Sequence, residues 1–264
     1  MEQLPYTLEF MHKFNLHKWL GLAIEDAELG AIARIYGVSR ARLARIEREF
    51  QENVARLASS LPKREEKPLP SALTILAVGD SLTSDRESWV RILNRYWREE
   101  PNRRVLDCAV SGDTSSDLLD RFYSTVVVQD FDWVVLFIGT NDCRQLDDPA
   151  QISTISLEEY RRNVDYLTGW FLQKGKRIVL VTLPPVDNTR MRAYFSDENS
   201  CYDPARLEAT NRYICELAAR KGFAVADLAA AIQAQGLEVL GEDGLHLNGA
   251  GQIILCRLLL ELLP

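Results

Sequence analysis

The chain has 264 residues, 47% of them hydrophobic and 26% charged, and a formal net charge of −7. That balance excludes a collagenous, low-complexity or disordered chain and leaves a globular protein with one sizeable core and room for a small extra module. The negative charge is carried by the part after Pro70, which argues against nucleic acid as the partner of that larger part.

The opening residues Met1-Glu2-Gln3-Leu4-Pro5 lack a basic cluster followed by an apolar run, so no signal peptide is expected. The apolar stretch Ile253 to Leu263 is broken by Arg257 and Glu261 and is too short for a membrane span. The five cysteines, Cys108, Cys143, Cys201, Cys215 and Cys256, include no C-x-x-C pair, which points to a reducing compartment and a cytoplasmic protein. His12, His17 and His246 are the only histidines and are too scattered for a histidine-based metal site.

Residues 1–60 read as a helical module. Leu43, Ile46, Phe50, Val54 and Leu57 recur at steps of three and four, one face of a long helix. Ahead of it, Ala33-Arg34-Ile35-Tyr36-Gly37-Val38-Ser39 has a small residue, a glycine turn and a serine N-cap in the order of a helix-turn-helix, with Arg40, Arg42, Arg45 and Arg48 able to face phosphates. Glu47, Glu49 and Glu52 interleave with those arginines and offset them. The favoured reading is therefore a helical hairpin packed on the main domain or on a second copy of the chain, making these helices a candidate homo-oligomer interface; a DNA-binding regulator is the competing one. His12 and His17, close to Trp19 and Leu20, are expected to pack or lie on the surface. Residues 61–71, with Pro62, Pro68 and Pro70, read as a linker.

From Ala72 to the end, short apolar runs alternate with longer amphipathic segments. The runs are Leu73 to Val78, Val105 to Val110, Trp133 to Ile138, Ile178 to Leu183 and Phe223 to Ala226. Helical patterns cover about Asp85 to Glu99, Thr114 to Val128, Leu157 to Lys174, Pro204 to Lys221 and Ala250 to Leu262. The expectation is an α/β fold, a five-stranded parallel sheet in a three-layer α/β/α sandwich with its ligand outside the carboxyl ends of the strands.

The first run stops at Gly79-Asp80-Ser81-Leu82, which puts Ser81 on a tight turn. Ser84 and Glu87 match a capping box for the next helix, where Trp89, Val90, Leu93 and Trp97 recur. The second run ends at Ser111-Gly112-Asp113 and the third at Gly139-Thr140-Asn141-Asp142. Asp243-Gly244-Leu245-His246 precedes the last helix. Acyl transfer needs this set of residue types. A serine hydroxyl is a weak nucleophile without an adjacent base, and His246 is the only histidine after Ala72. The base needs a carboxylate on its other nitrogen, and Asp243 is one turn away, with Glu242 as a rival. The tetrahedral intermediate needs donors, which the N–H of Ser81, the N–H of Gly112 and the amide of Asn141 can supply.

Taken together, Gly79-Asp80-Ser81-Leu82, Gly112, Gly139-Thr140-Asn141-Asp142 and Asp243-x-x-His246 resemble the four ordered blocks of the SGNH hydrolases, also called GDSL-type esterases and lipases. The resemblance covers residues 72–264. It implies Ser81 as nucleophile, His246 as base and Asp243 as its orienting acid. It also implies an oxyanion hole of Ser81, Gly112 and Asn141, a flavodoxin-like sandwich, no cofactor, and cleavage of esters or thioesters through an acyl-enzyme. The G-x-S-x-G elbow of the larger α/β-hydrolases is absent, because Thr83 stands where its second glycine belongs.

A polar and aromatic loop from Pro184 to Asp203 holds Asn188, Arg190, Met191, Arg192, Tyr194, Phe195 and Tyr202 and has no apolar stretch to act as a lipase lid. It suggests a small ester substrate, an acetyl group on a polar alcohol such as a carbohydrate, with Arg190 and Tyr194 as candidate substrate-binding residues.

Overall fold

A computed structural model describes residues 6–21, 24, 28–62, 72–146, 151–196 and 199–264. The expected linker lies mostly outside them, since only Leu61 and Pro62 of that stretch are described.

The amino-terminal part is helical, as its periodicity predicts. Helix α1 (Leu8–Lys13) starts under the Thr7 hydroxyl, which accepts from the Phe10 N–H at 3.2 Å. A 3₁₀ turn, Leu16–Leu20, follows, then α2 (Leu29–Ile35) and the long α3 (Arg40–Ser59). The α2–α3 turn uses Gly37 at φ +65°, and Ser39 caps α3 by accepting from the Arg42 N–H at 3.2 Å. Leu43, Ile46, Phe50 and Val54 are buried along α3 and Leu57 is half-buried, the stripe that the sequence pattern draws. This stripe also holds the fully buried His12 through the neighbouring Glu47, whose Oε2 lies 3.1 Å from the His12 Nε2. His17 is equally buried and meets the Tyr36 hydroxyl. Both histidines are packing residues.

The larger part is an α/β/α sandwich. Strands β1 (Leu73–Gly79), β2 (Arg103–Asp107), β3 (Trp133–Phe137), β5 (Arg177–Val181) and β7 (Ala224–Ala226) form one parallel sheet in the order β2-β1-β3-β5-β7. That is the flavodoxin-like arrangement, with a switch of direction at β1. Ile75, Leu76, Ala77 and Val78 of β1 are fully buried, which is why this run has no alternation: both faces are covered. The covering helices form two groups. In one, α5 (Trp89–Tyr96) and α10 (Leu228–Gln235) pack on α11 (Gly249–Leu262); in the other, α6 (Ser115–Arg121) packs on α7 (Leu157–Gln173), and α7 on α9 (Pro204–Lys221). α3 lies against α5, and Phe10, Phe14, Val54, Ala58 and Leu61 of the helical module join the core of the sandwich, while Ile32, Ala33 and Leu43 form a small cluster of their own.

Two local expectations need correction. Ser84 and Glu87 do not form a capping box. A one-turn helix, α4 (Ser81–Ser84), follows β1 directly and is capped by Asp80, while α5 begins only after Ser88. Glu87 is drawn instead to the Lys13 ammonium and to Asn53 Nδ2 at 2.9 Å, partners that no local pattern reveals. The stretch Pro184 to Asp203 is not a structureless loop either. It contains α8 (Asn188–Tyr194), capped by Asp187, and β6 (Ser200–Tyr202), which pairs antiparallel with β4 (Arg144–Leu146). α10 was also missed, because its run of alanines carries little amphipathic signal.

Candidate active site

The carboxyl ends of β1, β2 and β3 converge on one edge of the sheet, and each turn there is built by a specific residue. At Gly79 a Cβ would stand 2.2 Å from the Phe137 carbonyl oxygen, so only glycine lets β1 pair this closely with β3 at its end. Asp80 then caps α4, its Oδ1 accepting from the Leu82 N–H at 3.0 Å. Ser81 follows as the first helical residue, and its N–H, at a helix start, donates to no protein acceptor among the described residues.

The sequence-expected residues are brought together across most of the chain. Ser81 Oγ lies 2.9 Å from His246 Nε2, and His246 Nδ1 lies 2.7 Å from Asp243 Oδ2. Asp243 Oδ1 also accepts from the N–H groups of Leu245 and His246, both at 2.9 Å. Burial pushes the Asp243 carboxyl up, but the His246 charge and these hydrogen bonds outweigh burial and hold it down at about 2. Glu242, the rival acid, is exposed. The imidazole is thus oriented from one side by a carboxylate and meets the hydroxyl on the other.

Two further turns follow β2 and β3, the strands on either side of β1. Gly112 adopts φ +84°, a left-handed conformation that favours glycine, and its N–H donates to no protein acceptor among the described residues. Asn141 donates one amide hydrogen to the Asp113 carbonyl at 2.9 Å, which fixes the side chain and leaves the second hydrogen available. The segment around Asn141 is pinned by its neighbour: the buried Asp142 accepts from the Ser115 N–H at 2.9 Å and from the Ser115 hydroxyl at 2.5 Å, and Asn163 in turn donates to that hydroxyl. Burial pushes Asp142 up to about 6. Asp80 is perturbed further. Its Oδ2 has no hydrogen-bond partner among the described residues, and burial pushes it up to about 7.

Of the expected substrate residues, Tyr194 borders a cavity of about 950 Å³ that touches Asp243 and His246 and is walled by α3 residues such as Arg42, Arg45 and Asn53; Ser81, Gly112 and Asn141 do not line it. Arg190 is engaged by Asp187, with Nε 3.1 Å from Oδ2, and packs beside Gly244 in the Asp243–His246 turn. Sequence reasoning missed Phe14, whose ring stacks on His246 at 4.0 Å between centroids with 30° between planes.

Comparison with known proteins matches this arrangement to one family. The model of the GDSL-like lipase/acylhydrolase family matches residues 77–253, from within β1 into α11. The chain belongs to that family. It is accordingly a GDSL-type serine hydrolase acting on carboxylic esters. Among curated proteins, an acetylxylan esterase of Geobacillus stearothermophilus is 29% identical over 166 residues, 60% of this chain and 71% of that one. An esterase of Pseudomonas aeruginosa is 28% identical over 134 residues, 48% of this chain and 63% of its own length. Among solved structures, a lipase/acylhydrolase from Enterococcus faecalis superposes with a TM-score of 0.58 at 26% identity, covering 72% of this chain and 94% of that one. An α/β hydrolase from the metagenome of Lake Arreo gives a TM-score of 0.60 at 24% identity, covering 73% and 95%. The GDSL match begins after the helical module, which lies outside it.

Proposed function

We propose that this GDSL enzyme is a serine esterase that removes a short acyl group, acetyl, from a polar alcohol such as a carbohydrate. The observation that carries the reading is the unbroken hydrogen-bonded chain from Ser81 through His246 to Asp243, with free N–H donors beside the serine. Ser81 Oγ attacks the ester carbonyl as its proton passes to His246 Nε2, and Asp243 stabilises the imidazolium that forms. The carbonyl oxygen, now negative, is met by the N–H groups of Ser81 and Gly112 and the amide of Asn141. His246 returns the proton to the departing alcohol. Water then attacks the acyl carbon as it gives a proton to the same nitrogen, and His246 passes that proton to Ser81 Oγ as the acid departs.

The preference for a small acyl group draws on two supports. Residues 184–203, which carry α8 and β6, are polar and aromatic and have no long apolar stretch to act as a lipase lid. The acetylxylan esterase relative acts, by its name, on an acetylated sugar polymer. Tyr194 is the proposed substrate contact on the cavity side. A nitrophenyl ester series from acetate to long chains, run beside acetylated xylosides with wild type and Ser81→Ala, tests the assignment. Activity that peaks at acetate, extends to the sugar esters and is lost in the variant is the expected result. Activity that rises with chain length would refute the acetyl assignment, and equal activity of the variant would refute the serine mechanism.

A further inference from the structure

The helical module reaches the site through the segment Phe14 to Trp19: His17 ties it back to the module through the Tyr36 hydroxyl, while Phe14, Asn15, Lys18 and Trp19 contact the turns of the candidate active site or their flank. The Ser111 hydroxyl donates to the Phe14 carbonyl, and Trp19 Nε1 donates to the Ser111 carbonyl at 2.5 Å. Asn15, held at φ +53°, donates through Nδ2 to the Ser84 carbonyl at 2.5 Å. Lys18 Nζ meets Asp107 Oδ2 at 3.3 Å and the Ala109 carbonyl at 3.2 Å. The segment is therefore fastened to the turn after β2, next to Gly112, and to the turn after Ser81. Four anchors fix where its two aromatic rings sit.

One ring is that of Phe14, buried face to face on His246. The other is Trp19, which is 57% exposed even though its indole N–H is tied down and its ring edge stands 3.7 Å from where a Cβ of Gly112 would be. That leaves a large aromatic face open to solvent and held in place beside the turn that carries Gly112.

We propose that this segment completes the catalytic site, with Phe14 as the positioning residue of His246 and Trp19 as the platform of a leaving-group subsite for a ring-shaped polar alcohol such as a sugar. The inference rests on the esterase reading above and adds to it the part of the chain that lies outside the family match. Stacking holds the imidazole in the plane that reaches both Ser81 and Asp243. When His246 becomes cationic during proton transfer, the negative face of the Phe14 ring favours that charge. Trp19 offers its flat face, beside the turn that carries Gly112, to the apolar face of a sugar ring whose ester oxygen takes its proton from His246.

The test uses the full chain in five forms: wild type, Phe14→Leu, Phe14→Tyr, Trp19→Ala and Trp19→Phe. Phe14→Leu is expected to lower kcat about tenfold with little change in KM, and Phe14→Tyr to restore it. Independently of turnover, the ring protons of His246 resonate upfield under the Phe14 ring current in wild type, assigned by comparison with His246→Ala. They return toward ordinary histidine positions in Phe14→Leu. Trp19→Ala is expected to raise KM about tenfold for an acetylated xyloside but much less for ethyl acetate, which has no ring to stack, and Trp19→Phe to keep most of the affinity. A Phe14→Leu protein with wild-type kcat and an unmoved His246 signal overturns the role of Phe14. A Trp19→Ala protein whose KM changes equally for both esters overturns the subsite. If wild type cleaves no ester and no phosphonate labels Ser81, it is the esterase reading that fails, and the histidine signal still decides the Phe14 contact.

Discussion

Asp243→Asn is the sharpest single perturbation of the site, because the carboxylate has three donors and the amide can satisfy only some of them. In wild type the two oxygens accept from His246 Nδ1 at 2.7 Å and from the N–H groups of Leu245 and His246 at 2.9 Å. An asparagine keeps its oxygen on the two backbone donors and turns its NH₂ toward Nδ1. A donor there forces the imidazole to carry its proton on Nε2, the nitrogen that must accept from Ser81 Oγ. The same change in a serine-protease triad costs about 10⁴ in kcat, roughly 5 kcal/mol of transition-state stabilisation. The variant has a second signature in stability. The Asp243 carboxyl is held down from 3.8 to about 2, so its contribution is present above about pH 4 and is lost as pH falls toward 2. A shift of nearly two units corresponds to about 2 kcal/mol, which should appear as a pH-dependent difference in urea stability between wild type and variant. Nitrophenyl acetate kinetics and denaturation from pH 2 to 7 read both effects. A variant within tenfold of wild-type kcat, or a stability difference that does not shrink toward pH 2, would refute the reasoning.

Three further outcomes follow from the same geometry. Asn141→Ala removes one proposed oxyanion donor and is expected to lower kcat on the order of a hundredfold to a thousandfold while KM moves little; a loss confined to KM would mean that Asn141 binds the ground state. Asp80 is pushed up from 3.8 to about 7 by burial, so the folded state favours its proton, and the protein loses stability as pH rises from about 4 through 7. Asp80→Asn should match wild type near pH 4 and exceed it by up to about 4 kcal/mol at pH 8 in urea titrations, and a pH-independent difference would count against a buried proton there. Gly79→Ala places a Cβ 2.2 Å from the Phe137 carbonyl and 2.9 Å from Thr83 Oγ1, so it should cost about 3 kcal/mol or more in a denaturation midpoint; a stability equal to wild type would show that β1 and β3 can part at this end.

What could be read from the chain and what could not divide along the range of the interaction that decides each feature. The sheet was legible because a fully buried strand such as Leu73–Gly79 announces itself in consecutive apolar residues, and its end is marked by a glycine that the β1–β3 approach requires. The Ser81, Gly112, Asn141 and Asp243–His246 positions were legible because each sits on a turn whose local residues build it, and because such turns belong at the carboxyl ends of parallel strands. The capping box at Ser84 and Glu87 failed for the opposite reason. Its local pattern was intact, but Glu87 found Lys13, 74 residues earlier, and a charge pair with a half-buried ammonium wins over the local cap.

The same limit hid the role of the helical module, and it bears on how the site works. Periodicity in α3 tells that the helix has an apolar face, not that the face is laid on α5 and thereby carries Phe14 to within 4.0 Å of an imidazole 232 positions away. Nothing in the residues around Phe14 distinguishes it from Phe10, yet Phe10 meets the same imidazole only edge-on at 6.1 Å. Just after Phe14, Asn15 in a left-handed conformation ends α1 and bonds to the Ser84 carbonyl, which fastens this end of the helix beside the turn after β1. In the family's own blocks His246 has only Asp243 and Ser81 to orient it, and both contacts lie in the plane of the ring. A stacked aromatic supplies restraint perpendicular to that plane, which is the one direction that hydrogen bonds to ring nitrogens leave soft. The segment outside the family match therefore acts where the family's own residues constrain the base least.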